Sequence, residues 1–112
     1  MTMFDERERA FENFFAHEED LRFFALARRN QLFARWAAEQ LGLRGADYHA
    51  YVCSFSQGVV RREPDEALID HVRLDFIGSG VEASEQSIRE AMTWAAADAT
   101  RQVRSEARDE VA

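Results

Sequence analysis

His49 and Cys53 stand four residues apart, a spacing that puts two metal-ligand side chains on one face of a helix. A structural zinc site needs four ligands, and the other histidines, His17 and His71, form no second pair at such spacing. The sequence therefore predicts no metal and reads Cys53 as a small buried residue. Carboxylate pairs at spacing three or four recur, among them Glu8 with Glu12 and Glu82 with Glu85. With 21 acids in 112 residues such pairs arise by chance, and general acid–base work also needs a pocket and a displaced pKa. There is no glycine-rich phosphate loop, nucleophile elbow or HExxH stretch. All 14 basic residues are Arg, which removes lysine Schiff-base and P-loop lysine chemistry. Arg28 and Arg29 remain. Arg28 falls within an apolar stripe, where a guanidinium needs a partner. One role is an ion pair with an acid on another helix, with Asp70 and Asp75 as candidates, or a snorkelled stem. The other is a phosphate contact shared with Arg29. The residues alone favour the ion pair. Binding, not catalysis, is the expected chemistry.

The elements that position these residues read as helices throughout. The first is predicted from about Asp5 to Leu41, with Gly42 as its stop. In its first part Phe4, Phe11, Phe14 and Phe15 share a face. Such a stripe packs on a bundle or anchors a helix in a partner's groove. Further on, Leu21, Phe24, Ala25, Leu32 and Trp36 make one stripe, and Leu26, Phe33, Ala37 and Leu41 a second. A helix apolar on two sides is packed centrally. A second helix is predicted over about Ala46–Arg62, capped by Asp47, with Tyr48, Val52, Phe55 and Val59 inward. Pro64 separates it from a third, Asp65 to about Ile77, which faces inward with Leu68, Ile69, Val72 and Phe76. Gly78-Ser79-Gly80 breaks the chain. Ser84 is a good N-cap for the fourth, with Glu85 in its first turn and a stripe of Ile88, Ala91, Met92, Ala95, Ala99 and Val103. Beyond Arg104 the chain is polar and its end is expected to fray. The predicted fold is all-α, a four-helix bundle-like domain with a long first helix.

Composition bounds the rest. A length of 112 residues suits one domain, and 46% hydrophobic residues rule out disorder of the whole chain. Five Gly and one Pro are too few for the regular turns of an all-β fold. The net charge of −7 makes nucleic acid a poor partner. Residues 1–20 carry two Arg against seven acids, residues 21–44 five Arg against one, and residues 45–112 seven Arg against thirteen. The basic block can meet the acidic remainder or an acidic partner. A single cysteine, no signal peptide and no apolar run long enough for a membrane span lead us to expect a cytoplasmic protein without direct membrane insertion.

Residues 4–43 carry a more specific pattern. They begin Phe4-Asp5-Glu6-Arg7-Glu8-Arg9-Ala10-Phe11-Glu12, continue with Phe15-Ala16-His17-Glu18-Glu19 and Ala27-Arg28-Arg29-Asn30, and end with Trp36-Ala37-Ala38-Glu39-Gln40-Leu41-Gly42-Leu43. This resembles the zeta-subunit, or ATPase inhibitor, family of alphaproteobacterial F-type ATP synthases. The resemblance implies a four-helix domain, residues 19–112, preceded by an inhibitory segment, residues 1–18. It implies a non-catalytic monomer that binds the catalytic head at the cytoplasmic face of the inner membrane and blocks ATP hydrolysis. In that family the N-terminal segment inserts at a catalytic α/β interface and touches the central stalk. Here Phe4, Phe11 and Phe15 would be its apolar anchors, and Asp5, Arg7, Glu8 and Glu12 its polar contacts. Some members bind nucleotide weakly, which would place ATP or ADP near Arg28 and Arg29, with no resident cofactor. The chain departs from the family at Phe14, Gln31 and Gln40, where members usually carry Lys, and at Ser54-Phe55-Ser56-Gln57-Gly58 and Pro64. Two alternatives stand beside the inhibitor reading, the first framed by these departures and the second by the Phe-rich face. One is a divergent paralogue acting as a nucleotide-binding or regulatory accessory domain without inhibition. The other is a self-associating module that uses the Phe-rich face.

Overall fold

The computed structural model describes residues 3–60 and 62–111; the side chains at 3–4, 11–16, 57–60 and 110–111 lie outside the description. Among the described residues there are four helices and no strand: α1 (Met3–Gln40), α2 (Gly45–Val60), α3 (Asp65–Ser79) and α4 (Glu85–Val111). The all-α expectation holds.

Local chemistry sets the helix ends. At the end of α1 the Leu43 N–H bonds to the Ala38 carbonyl at 3.0 Å and the Gly42 N–H to Glu39 at 3.1 Å, with Gly42 at φ 72°. This is a Schellman stop, which needs a left-handed residue. Gly80, at φ 71°, repeats it for α3, where the Val81 N–H reaches the Phe76 carbonyl at 2.9 Å. The predicted break at 78–80 therefore narrows to Gly80, because Gly78 and Ser79 remain helical. Ser84 caps α4, its Oγ accepting from the Ser87 N–H at 3.1 Å. Asp47 is not the start of α2; it lies inside a first turn that begins at Gly45.

The helices pack as a slab built on α1, which lies against α2 and α4, while α3 lies against α4. Helices α1 and α4 run antiparallel: Trp36 borders Ser87 and Ala91, and Arg28 bonds to Gln102 and Glu106. The core joins Phe33, Ala34 and Ala37 of α1, Phe55 of α2, Leu68, Ile69, Val72 and Phe76 of α3, and Ile88, Ala91, Met92 and Ala95 of α4. Phe33 and Phe76 are almost fully buried, each stabilising the fold by about 1.5–3 kcal/mol through removal from water. Rings interlock across helices, Phe33 meeting Phe55 at 6.3 Å and Trp36 meeting Phe76 at 5.7 Å. The Tyr51 hydroxyl donates to Asp75 Oδ2 at 2.9 Å, tying α2 to α3. Burial, with that carboxylate, pushes the phenol pKa far above its usual value.

Three sequence expectations change. Phe24 and Leu26 are 55% and 43% exposed, so the apolar faces of α1 are only partly covered. Cys53 is exposed rather than buried, because Phe55, two residues on, takes the inward side of α2. Helix α4 continues to Val111 instead of fraying after Arg104. Its last turns are held to α1 by Arg28–Glu106 and Arg104–Glu18 contacts and by burial of Val103.

Candidate functional site

The molecule is elongated, 65 Å along its long axis against 26 and 21 Å. A 38-residue helix is about 57 Å long at 1.5 Å per residue, longer than the core it serves. One side of the C-terminal part of α1 is buried, with Phe33, Ala34, Ala37 and Ala38 at 0% exposure. Among the described residues, the contacts with α4 nearest the N-terminus of α1 are those of Leu21, buried at 9%, and Glu18, whose carboxylate accepts from Arg104 at 3.0 and 3.4 Å. That hydrogen bond holds the Glu18 carboxyl below the usual carboxylate range.

Beyond this point every described side chain from Asp5 to Ala10 is exposed. Exposed helical turns such as these rely on local terms. Asp5 and Glu6 sit in the first turn, at the positive end of the helix dipole, and Asp5 precedes Arg9 by four residues. Of the predicted contact residues, Asp5, Arg7 and Glu8 are thus on a solvent-facing helical arm. Phe4, Phe11, Glu12 and Phe15 have backbone within α1, but their side chains lie outside the described residues.

Arg28 and Arg29 lie some 30 Å further along α1 and diverge. Arg28 forks onto both Glu106 oxygens at 2.9 and 3.0 Å and donates to Gln102 at 2.7 Å. Its predicted ion pair exists, but its partner is Glu106 on α4 rather than Asp70 or Asp75. Those two acids face Arg73, and His71 with Tyr51, instead. Arg28 lowers the Glu106 pKa through this hydrogen bond. Arg29 is buried, with Nε and Nη2 donating to Asn30 Oδ1 at 3.1 and 2.9 Å and Nη2 meeting Asp65 at 2.9 Å. A phosphate at either guanidinium competes with a carboxylate already seated there.

His49 and Cys53 are both exposed, and no group of three metal-ligand residues assembles among the described residues. No helix among them is long and apolar enough to cross a membrane. Two features escaped the sequence reading. The buried Asn30 left no pattern signal. The Glu18–Arg104 contact spans 86 positions, beyond any periodicity.

No curated protein and no solved structure matches the chain. The family described as ATPase inhibitor subunit zeta does match, over residues 1–102. That match spans nearly the whole chain, including both the exposed arm and the packed helices, and the protein belongs to the ATPase inhibitor subunit zeta family.

Proposed function

We propose that this protein restrains ATP hydrolysis by an F-type ATP synthase by lodging residues 1–18, a segment that includes the exposed turns Asp5–Ala10 of α1, at a catalytic α/β interface of the head. The packed remainder, residues 19–112, holds the arm in place. The observation that carries this reading is the run of exposed side chains from Asp5 to Ala10 on a helix whose other end packs Phe33, Ala34, Ala37 and Ala38 into the core. A partner that takes up the arm meets a preformed helix and bears less ordering cost than a disordered peptide would impose. Phe4, Phe11 and Phe15 would supply apolar area there, with Asp5, Arg7, Glu8 and Glu12 as polar contacts. The central stalk would stop against the wedge. The protein would act as a monomer, without catalysis of its own, at the cytoplasmic face of the membrane that carries the synthase.

The test is ATP hydrolysis by purified alphaproteobacterial ATP synthase with the full chain or with a form lacking residues 1–16. The shorter form keeps Glu18 and Leu21, hence the α1–α4 contact. Inhibition by the full chain alone, with equal helicity per residue in both forms, is expected. Full inhibition by the truncated form would refute the arm's role.

A further inference from the structure

Between the C-terminal half of α1 and the N-terminal half of α4 lies a wide, shallow depression of about 550 Å³. Trp36 and Trp94 line it together with Gln40, Glu82, Ser87 and Glu90. Trp36 is fixed from behind, stacked on Phe33 at 6.1 Å and tilted on Phe76 at 5.7 Å. Trp94 is 53% exposed, although Ile88, Met92 and Val103 of the same helix are buried. Glu82 and Glu90 are exposed and belong to no ion pair among the described residues; Glu90 accepts one hydrogen bond from Gln86 at 3.1 Å. Arg89, adjacent in sequence, does not neutralise them. Its guanidinium is taken by Glu66 at 2.6 and 2.8 Å and by Glu85 at 3.0 Å. Arg35, beside Trp36 in sequence, does not line the depression.

We propose that this depression is a docking site for an arginine side chain carried by a basic segment of a partner protein. A planar guanidinium lies flat on an indole face while its edge donates to carboxylates, and the depression offers both kinds of group at once. Its uncompensated negative charge opposes a nucleotide or any other anion. Its shallowness opposes a small free ligand, since such sites bury most of the ligand's surface. A side chain delivered by a protein segment needs no such enclosure. The site lies about 45 Å along α1 from Asp5, so it is separate from the inhibitory arm and does not depend on it.

Trp36 and Trp94 are the only tryptophans in the chain and both line the depression, so tryptophan emission responds to its occupancy. The full-length protein is titrated with an acetylated, amidated Ala-Arg-Ala-Arg-Ala peptide. Its citrulline counterpart, which is neutral and of the same shape, and free arginine amide serve as comparisons. A saturable emission change with the arginine peptide is expected, with none from the citrulline peptide and weaker binding of arginine amide. Each exposed carboxylate contributes up to about fivefold in affinity, so the Glu82→Gln/Glu90→Gln double variant should bind roughly tenfold more weakly. An Asp47→Asn/Glu63→Gln control removes the same charge at two exposed positions away from the depression and should bind as the parent does. Thermal unfolding confirms that both variants are folded. The proposal is overturned by no saturable change, by equal binding of the citrulline peptide, or by equal binding of arginine amide. It is equally overturned if the double variant binds undiminished or the control is weakened as much as the double variant.

Discussion

Replacing Arg29 with Ala tests whether this guanidinium is a structural tie or a phosphate holder. Arg29 supplies both hydrogen bonds received by Asn30 Oδ1, at 3.1 and 2.9 Å, and Asn30 is only 2% exposed. Stripping donors from a buried amide oxygen costs about 1–3 kcal/mol. The Asp65 contact adds less, about 0.2–1 kcal/mol, because that carboxylate's side chain is 58% exposed. Loss of the packed aliphatic stem brings the total to roughly 2–4 kcal/mol. A domain of 112 residues has about 6–17 kcal/mol in all, so the effect is large but leaves a folded protein. Urea unfolding should show a lower midpoint at unchanged slope for Arg29→Ala. Asp65→Asn should cost no more than about 1 kcal/mol. The reasoning fails if Arg29→Ala costs less than about 1 kcal/mol, or if Asp65→Asn costs as much as Arg29→Ala. Repeating both titrations with millimolar ADP separates the two roles. A structural Arg29 leaves any ADP-induced shift of the midpoint equal in parent and variant, whereas a phosphate contact makes the variant lose it.

Acid should loosen the α1–α4 and α3–α4 contacts. Glu18, Glu66 and Glu106 all titrate below the ordinary glutamate value through hydrogen bonds from Arg104, Arg89 and Arg28, in that order. A depressed carboxylate contributes stability above its unfolded pKa and loses it as pH falls through the folded one. Urea midpoints should therefore be level above about pH 5 and fall below about pH 4.5, less steeply in Glu106→Gln. Two glycines close together should respond in opposite directions. Gly80→Ala places a side chain at φ 71° and should destabilise by about 1 kcal/mol. Gly78→Ala lies within α3 with open space around the new methyl group and should stabilise by about 0.5–1 kcal/mol, read by thermal unfolding.

The family was legible before any coordinates. The motifs of residues 4–43 carried the resemblance to the zeta-subunit family, and the family match covers them within residues 1–102. The ion-pair role of Arg28 was legible from its place in an apolar stripe, since a guanidinium there demands an acid. Its partner was not, because Asp70, Asp75 and Glu106 are equivalent until the helices are docked. The Trp94 depression was likewise invisible, since its lining is drawn from α1, from α4 and from the loop that precedes α4.

The sequence by itself determined that the chain is helical, the glycine stops of α1 and α3, the serine cap of α4 and the inward stripes of α3 and α4. These depend on interactions within a few residues: a left-handed glycine at 42 and 80, a serine hydroxyl at 84, and apolar side chains returning every three or four positions. Only the tertiary structure decided which apolar surface is covered. Phe33 and Leu26 lie on the same predicted face of α1, yet Phe33 is at 0% exposure against Phe55 while Leu26 is 43% exposed. It also decided that Cys53 faces water and that α4 runs past Arg104 to Val111. Burial and long-range ion pairs depend on what another part of the chain brings alongside, and no local pattern carries that information.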